Sequence, residues 1–512
     1  MIWPSLVGFG ILSVAVILTI DHFITRKRIP SYLLVALFSA IFIPFSIILL
    51  VPIDLATSTS GEVPLLSLPR KVTFVLWRLE YWISFGLTWL ILPILQSFVE
   101  SGHYDYKQKL RDAVRVNARF QLIQLIAGIF ALIYCIFYSG FTLISLKAMA
   151  VALSLSYSLI FSILFLGIGI VNIPRTLFTL ASPTRRLLQL EMKAVGLRDQ
   201  KTDSDIEYTD VSAEVQSLAP IKSGPFENWI SDLLSKARRV EASNSLNRTQ
   251  INDEYLSALS SRLDRSKLLY ERYNYEWSSL IFEAAKLQDI VEAKQNKSLT
   301  FRLSTTRLSP SIAYLWYCII RPLLLYFIFG ISLTISLLVL VSELLENTDY
   351  SLLGTVSAAT GGLVQELISL TTITYMCLAT YSSLASMKIF NIFALTPKHT
   401  ALRSAIFYAF HVCRMTIPLA YSYVQMMPHR TESTVFEQFL QNSINLTPLG
   451  HIFVTWLPRL ILVPVFFSFF NAYERIQRSL GFSDDFGDYA EDFGSRAEGR
   501  DLISLDIRRR LS

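Results

Sequence analysis

The chain has 512 residues, of which 52% are hydrophobic and only 17% are charged. Soluble proteins carry about 25% charged residues, so this composition excludes a purely soluble enzyme, a disordered chain and a disulfide-rich secreted module. The net charge is only +6 and the basic residues are spread along the chain, which does not indicate nucleic-acid binding. The composition predicts a polytopic membrane protein with some water-exposed mass.

Nine apolar runs approach the roughly 20 residues that a helix needs to cross a bilayer. They lie at about 2–20, 31–51, 74–98, 120–138, 148–173, 316–341, 363–383, 404–421 and 450–470. The last two are the weakest because Arg414 and Arg459 interrupt them, and Pro174 is expected to end the fifth. The pattern predicts an all-α bundle of about nine transmembrane helices with a long insert after the fifth.

The distribution of Lys and Arg predicts how this bundle is oriented. The loops after the first, third and seventh runs are richer in basic residues than the alternate loops, and basic loops stay in the cytoplasm. We expect spans 1–5 within 1–173, a cytoplasmic helical and coiled-coil insert at 174–315 and spans 6–9 within 316–470. A cytoplasmic tail at 471–512 is expected to be mostly disordered. The N-terminus would then lie outside, in the plasma membrane first and an endomembrane second.

The insert carries a 3-4 repeat of apolar residues that is typical of a coiled coil. We expect this stripe to pack against 184–197 and 226–237 in an antiparallel helical hairpin or a small coiled-coil bundle that projects into the cytoplasm. The stretch 202–210 is expected to be a turn or linker. Either the hairpin only rigidifies the protein, or its seam or exposed flank binds a protein partner or a second copy. The candidate partner-binding residues are Leu256, Leu259, Leu263, Tyr270, Tyr273, Trp277, Leu280 and Leu287.

A few charged residues fall inside the apolar runs, where their cost indicates either internal pairing or a functional site. The candidate ligand-binding residues are Arg414, Arg459, Arg78, Glu80 and Asp54. One interpretation is that the arginines pair with Asp54, Glu80 or Glu343 between helices. The other is an outward-facing cavity for an anionic ligand, such as a lipid headgroup or a carboxylate, because guanidinium groups bind such anions bidentately.

No motif predicts catalysis. The six histidines and four cysteines have no metal-site spacing, and no phosphate-binding, protease or hydrolase motif is found. We therefore expect no catalytic residue, no metal, no cofactor and no enzyme activity.

Several motifs, in order along nearly the whole chain, are similar to those of a known family. They are Val51-Pro52-Ile53-Asp54, Trp77-Arg78, Tyr81-Trp82, Leu87-Thr88-Trp89, Leu92-Pro93, Gln96-Ser97, Gly167 to Val171, Pro174-Arg175, Tyr381 to Phe390, Pro397, Thr400, Cys413-Arg414 and Pro418-Leu419. On these residues the chain resembles the limb-region and lipocalin-receptor-like membrane proteins, which share the LMBR domain. It is most similar to the branch called LMBR-domain-containing protein two. Ser422 departs from the pattern, because an Asn is expected soon after Pro418-Leu419.

The resemblance implies nine spans, an outside N-terminus and receptor-like, escort or signalling-modulator roles. We therefore expect a multi-pass membrane protein that acts as a receptor-like, trafficking or signalling modulator through its cytoplasmic coiled coil. Its expected partners are the lipid bilayer and either other proteins or a second copy, with no nucleic acid. The alternative is a transporter or transport escort for a lipid or an organic anion.

Overall fold

The computed structural model describes residues 2–24, 29–58, 64–139, 143–220, 226–241, 252–304, 308–345, 351–360, 362–386, 393–427, 433–444, 458–470 and 493–511. This part of the chain is almost entirely helical, which confirms the all-α prediction. Six of the described helical stretches are long and apolar enough to cross a membrane. They are Trp3–Phe23, Ser31–Ser58, Arg70–Glu100, Tyr157–Ala181, Pro310–Leu344 and Gly362–Ser386. The count of nine spans stays a prediction.

Six α-helices lie in the described residues of the first part of the chain. They are α1 (Trp3–Phe23), α2 (Ser31–Ser58), α3 (Arg70–Gly86), α4 (Leu92–Glu100), α5 (Tyr106–Ser139) and α6 (Leu143–Ala181). A π-helical turn at Leu87–Ile91 joins α3 to α4, immediately before the Leu92-Pro93 pair. The missing N–H of a proline explains this local change in helical pitch.

The described residues of the insert include the helices α7 (Pro183–Gln216), α8 (Glu227–Lys236) and α9 (Asp253–Asn296). The Asn252 side chain accepts a hydrogen bond from the Tyr255 N–H at 2.8 Å and so caps the start of α9. The interpretation of 202–210 as a turn or linker is wrong, because this stretch lies within α7. Its polar residues form the exposed face of a helix whose other face buries Ser204 and Tyr208.

The second part of the chain begins with α10 (Pro310–Tyr314) and a π-helical turn at Leu315–Ile320. The helices that follow are α11 (Arg321–Leu344), α12 (Leu352–Ala359), α13 (Gly362–Ser386), α14 (Leu402–Arg414), α15 (Thr416–Gln425) and α16 (Val435–Ile444). A 3-10 turn at Pro458–Ile461 leads into α17 (Leu462–Phe469), and α18 (Phe493–Leu511) ends the described chain.

Pro174 does not end the fifth span, in contrast to the prediction, but lies inside α6. A proline has no N–H to donate to the carbonyl four residues earlier, which here is that of Ile170. The hydroxyl of Ser336 on α11 donates to this oxygen at 2.8 Å. The neighbouring helix thus supplies the donor that the proline lacks, and α6 continues to Ala181.

The predicted eighth span at 404–421 consists of two helices, α14 and α15, that meet at Met415. Pro418 has no N–H to donate to the carbonyl of Arg414, which favours a break at this point. The carbonyl of Cys413 accepts hydrogen bonds from Ser84 Oγ at 3.1 Å and from Thr416 Oγ1 at 2.8 Å. Met415, at the break, is buried, and so is every residue from 416 to 424 in the helix that follows. Protein packing thus surrounds the break, as irregular backbone at membrane depth requires.

Helix α9 lies against the ends of the candidate spans. A Cβ atom on Gly102, just after α4, would lie 1.9 Å from the carbonyl oxygen of Ser257, so only glycine permits this approach. Further along α9, the ring of Tyr275 packs 4.6 Å from that of His399, and Ile290 packs in one cluster with Ala313. The predicted projection into the cytoplasm is therefore wrong for α9, which runs across these helix ends. We call the face that α7, α8 and α9 cover the inner face, and the opposite one the outer face.

The C-terminal helix α18 packs on α7 and α9. Ile503 and Ile507 are buried in the same cluster as Trp277, and the Trp277 indole N–H donates to Asp506 at 3.1 Å. The prediction of a mostly disordered tail is wrong for these residues, because the i, i+4 pair of isoleucines gives the helix an apolar stripe to bury. The rest of the tail, 471–492, lies outside the described residues.

Candidate functional site

Asp54, a predicted ligand-binding residue, caps a helix that follows it by nearly 400 positions. Its two carboxylate oxygens accept hydrogen bonds from the backbone N–H groups of Val435 and Phe436, each at 2.9 Å. The Trp77 indole N–H donates to the same carboxylate at 3.0 Å, and the Trp77 ring packs 4.5 Å from that of Phe436. Asp54 is 1% exposed. Asp54 thus holds the start of α16 in place at the outer face, which accounts for a carboxylate at this buried position.

Glu80 lies on α3, the helix that also carries Trp77, and it is buried. One of its carboxylate oxygens accepts a hydrogen bond from the hydroxyl of Ser46 on α2. Glu343, at the end of α11, accepts from the hydroxyl of Ser422 instead. The acidic residues that the sequence offers as counter-ions for arginine therefore have hydroxyl or N–H donors as their described partners.

The three candidate arginines lie on different elements. Arg78 is exposed on α3. Arg414 ends α14, and its guanidinium carbon lies 4.4 Å from the centre of the Tyr157 ring on α6. Arg459 is half-buried in the 3-10 turn before α17. In the described part of the chain Arg414 has this cation–π contact and no ion pair, so the described contacts do not join it to Asp54 or Glu80.

The predicted partner-binding residues of the insert lie in the seam between α9 and the rest of this chain. Tyr270 is half-buried, and the other seven are at most 8% exposed. The first part of the seam packs against α8 and the end of α7, and the second part against the start of α7 and α18. The antiparallel hairpin and both predicted packing segments, 184–197 and 226–237, are therefore observed. The seam is filled from within the chain.

A polar network closes the seam at the start of α9. Tyr255 donates its hydroxyl hydrogen to Glu214 at 2.9 Å, and Arg262 lies 3.1 Å from the other oxygen of this carboxylate. Burial, followed by the hydrogen bond to Glu214, raises the pKa of Tyr255 to about 12. The hydroxyl therefore remains a donor at every physiological pH.

The outward face of α7 is left open by the hairpin and is acidic. Four carboxylates and one large apolar residue lie on it at positions that share one side of a helix. They are Asp199, Asp203, Ile206, Glu207 and Asp210. All five are exposed, Ile206 by 54%, and none of the four carboxylates forms an ion pair with a described residue. We call these five residues the acidic flank.

Sequence reasoning missed both the acidic flank and the C-terminal helix α18 that packs on α7 and α9. The signal for the flank is the spacing of its acids, which the linker interpretation obscured. Among the described residues no group of three or more His, Cys, Asp or Glu side chains is placed to hold a metal ion. The side chains of three of the four cysteines are described, those of Cys318, Cys377 and Cys413, and all three are free thiols.

The fold and these residues define a class, that of polytopic helical membrane proteins whose inner face is covered by a helical bundle. The family model described as LMBR1-like membrane protein matches residues 1–473, so the chain belongs to that family. The resemblance that the sequence motifs indicate is thus confirmed.

Proteins similar to this chain are found in distant organisms. It is 25% identical to LMBR1 domain-containing protein 2 homolog B of Dictyostelium discoideum, over 94% of this chain and 68% of that protein. It is 24% identical to the LMBR1 domain-containing protein 2 homolog of Drosophila melanogaster, over 86% of this chain and 70% of that protein. It is 25% identical to a Homo sapiens protein named G-protein coupled receptor-associated protein LMBRD2, again over 86% and 70%. No solved structure matches the chain.

Proposed function

We propose that this chain is a non-enzymatic membrane protein that associates with a receptor, and that the acidic flank of α7 is the surface that binds it. The name of the human relative, which describes a G-protein coupled receptor-associated protein, supports a receptor of that class as the partner. The observation that carries the proposal is the unpaired acidic flank with Ile206 at its centre.

Charge complementarity favours this occupant. The cytoplasmic loops of polytopic membrane proteins carry an excess of Lys and Arg, and the same rule assigns the inner face of this chain to the cytoplasm. A receptor in the same membrane would therefore present basic segments at the level of α7. Opposite charges on facing surfaces steer association and fix its register, and the exposed Ile206 supplies an apolar contact within them.

The flank of the hairpin suits a binding partner better than its seam. Opening the seam would expose Trp277 and the leucines that pack around it, at a cost of roughly 1.5–3 kcal/mol for each large side chain. A partner that binds the flank needs no such opening. With the N-terminus outside, α7 and α18 both lie in the cytoplasm, and the plasma membrane is the compartment in which such receptors act.

The test reverses charge on the flank with the double variant Asp203→Lys and Glu207→Lys. The matched control is Glu498→Lys with Asp501→Lys, two exposed acids on α18. Energy transfer between the tagged chain and each member of a panel of tagged G-protein coupled receptors is measured in the plasma membrane. We expect transfer to at least one receptor, its loss in the flank variant, its retention in the control, and its recovery when the receptor's basic inner segment is made acidic. Absence of transfer throughout, or an equal loss in both variants, would refute the proposal.

The alternative function, transport or escort of a lipid or an organic anion, is favoured by one observation. Arg414 lies in the membrane region with an aromatic ring, and no carboxylate, as its described partner. An anion held by Arg414 would be lost in Arg414→Ala while the chain remained abundant at the cell surface. Loss of the chain itself in that variant would instead assign Arg414 to folding.

A further inference from the structure

A cavity of about 460 Å³ lies on the inner face between α9 and the helix ends beneath it. Its walls are the middle of α9, the residues that end α4, the end of α1 and the segment 394–404. Its volume lies within the range of roughly 300–1,000 Å³ that is usual for small-molecule sites. Because the ends of α1 and α4 form part of its walls, a membrane around the candidate spans would bring lipid headgroups to this cavity.

The lining of this cavity is divided by chemistry. Ile24, Val99 and Leu402 provide an apolar wall on the side of the spans. The basic side chains that line it number six, against three acidic ones, Glu100, Asp264 and Glu271. The six are Lys236, Arg265, Lys267, Arg272, Lys398 and Arg403. An apolar wall next to an excess of cations suits an amphiphile with an anionic head.

Two of the three acidic residues face cations. Glu100 lies 2.7 Å from Arg403, whose guanidinium group also lies over the ring of Phe393 at 4.9 Å. Asp264 lies in the field of Lys236 and of other lysines around it. Arg265 is different, because it is exposed and forms no ion pair with a described residue. Its guanidinium group is therefore available to bind an anion in the cavity.

The segment that carries Lys398 is held in an unusual backbone conformation. Lys398 has a φ of 57°, in the left-handed region that residues other than glycine rarely adopt. Its N–H donates to the carbonyl of His22 at 2.9 Å. The Thr400 hydroxyl accepts from the Thr396 N–H at 2.9 Å and donates to the Thr396 carbonyl at 2.7 Å. Such strain persists only where neighbouring contacts impose it, and it concentrates at ligand clamps and switch regions.

We propose that this cavity binds the phosphorylated headgroup of an anionic lipid in the adjacent leaflet, with Arg265 as the principal phosphate ligand and Lys398 as a second cation of the lining. Arginine suits this role because its planar fork of donors matches phosphate oxygens. Basic pockets at the cytoplasmic ends of transmembrane helices are a recurrent setting for phosphorylated headgroups. The site is independent of the acidic flank, which lies on α7.

The experiment uses the purified full-length chain in detergent and native mass spectrometry, which counts the lipids that remain bound. Defined additions are a dioctanoyl phosphoinositide with a phosphate monoester, dioctanoyl phosphatidylcholine, the water-soluble inositol phosphate headgroup alone, and inorganic phosphate. The variant is Arg265→Ala. The matched control is Arg262→Ala, one helical turn away, where the arginine is 61% exposed, pairs with Glu214 and does not line the cavity.

We expect one phosphoinositide to bind, with an affinity that falls about tenfold in Arg265→Ala and is unchanged in Arg262→Ala. Competition by the soluble headgroup at the same concentration as the lipid would support the phosphate site. It would also identify a free phosphorylated compound, and not a lipid, as the ligand of that site. Weak competition by the headgroup would identify the lipid. Equal binding of phosphatidylcholine, or an equal effect of the two variants, would overturn the proposal.

Discussion

The hydroxyl of Ser422 lies 2.7 and 2.8 Å from the two carboxylate oxygens of Glu343. Ser422 is on α15 and 2% exposed, while Glu343 ends α11 and is 0% exposed. A serine hydroxyl has a single hydrogen, so this donor is shared between two acceptors. Ser422, at the position near which the resemblance predicts an asparagine, thus provides a hydrogen-bond donor to a buried acid. An asparagine amide can also donate a hydrogen bond.

Replacement of Ser422 by Ala should destabilise the protein by roughly 1–3 kcal/mol, because it removes a described donor to a buried carboxyl group. Thermal unfolding of the purified chain in detergent measures the effect. The double variant Ser422→Ala with Glu343→Leu removes both polar partners and should be less destabilised than Ser422→Ala alone. If the double variant is less stable than Ser422→Ala, other contacts hold Glu343 and its hydrogen bond with Ser422 contributes little to the stability of the protein.

Much of the fold follows from the sequence because its signals are local. The apolar runs near 3–23 and 31–58 are long enough to span a bilayer on their own, and the 3-4 repeat from Leu256 to Leu287 specifies a buried helical face. The segment that fills this seam was also predictable, since few other amphipathic stretches lie within the insert. By contrast, two isoleucines in the tail, Ile503 and Ile507, are too weak a signal to separate a docked helix from a disordered one.

The candidate site was less predictable because its contacts join residues far apart in the chain. From sequence alone, an aspartate that follows an apolar run is equally compatible with a counter-ion for an arginine, a ligand-binding residue or a helix cap. The choice for Asp54 depends on the backbone N–H groups of Val435 and Phe436, whose position no local pattern reports. The inner-face cavity likewise combines Arg265 with Lys398 through packing alone.

Replacement of Asp54 by Ala should release the start of α16, because it leaves two backbone N–H groups and the Trp77 indole without their acceptor. The expected loss of stability is roughly 2–4 kcal/mol, the sum of a lost cap and of buried donors left without partners. Hydrogen exchange at Val435 and Phe436 should accelerate before the rest of the protein opens. Arg78→Ala, at an exposed position on α3, serves as the control and should leave this exchange unchanged. Slow exchange in Asp54→Ala would contradict the role of Asp54 as a cap.

The contact between Arg414 and Tyr157 predicts that the stability of the protein depends on the aromatic ring of Tyr157 and not on its hydroxyl group. Tyr157→Phe should keep the stability of the protein, and Tyr157→Leu should lower it by about 1–2 kcal/mol, because only the latter removes the cation–π contact. The measurement is thermal unfolding of the purified variants. Equal stability of the Phe and Leu variants would show that the ring does not hold the guanidinium group, and would favour an anionic ligand of Arg414.

The close approach of Gly499 to α7 makes the docking of α18 sensitive to one methyl group. A Cβ atom at position 499 would lie 1.9 Å from the carbonyl oxygen of Glu191. This oxygen belongs to the helix backbone, so it cannot move aside as the end of a flexible side chain could. Gly499→Ala should therefore displace α18, break the hydrogen bond from Trp277 to Asp506 and expose Ile503 and Ile507. Limited proteolysis should then cleave 493–511 in the variant and spare it in the parent chain. The neighbouring Glu498→Ala changes an exposed side chain on the same helix and should leave the segment protected. Equal protection in both variants would mean that α18 does not pack on α7 in the folded protein.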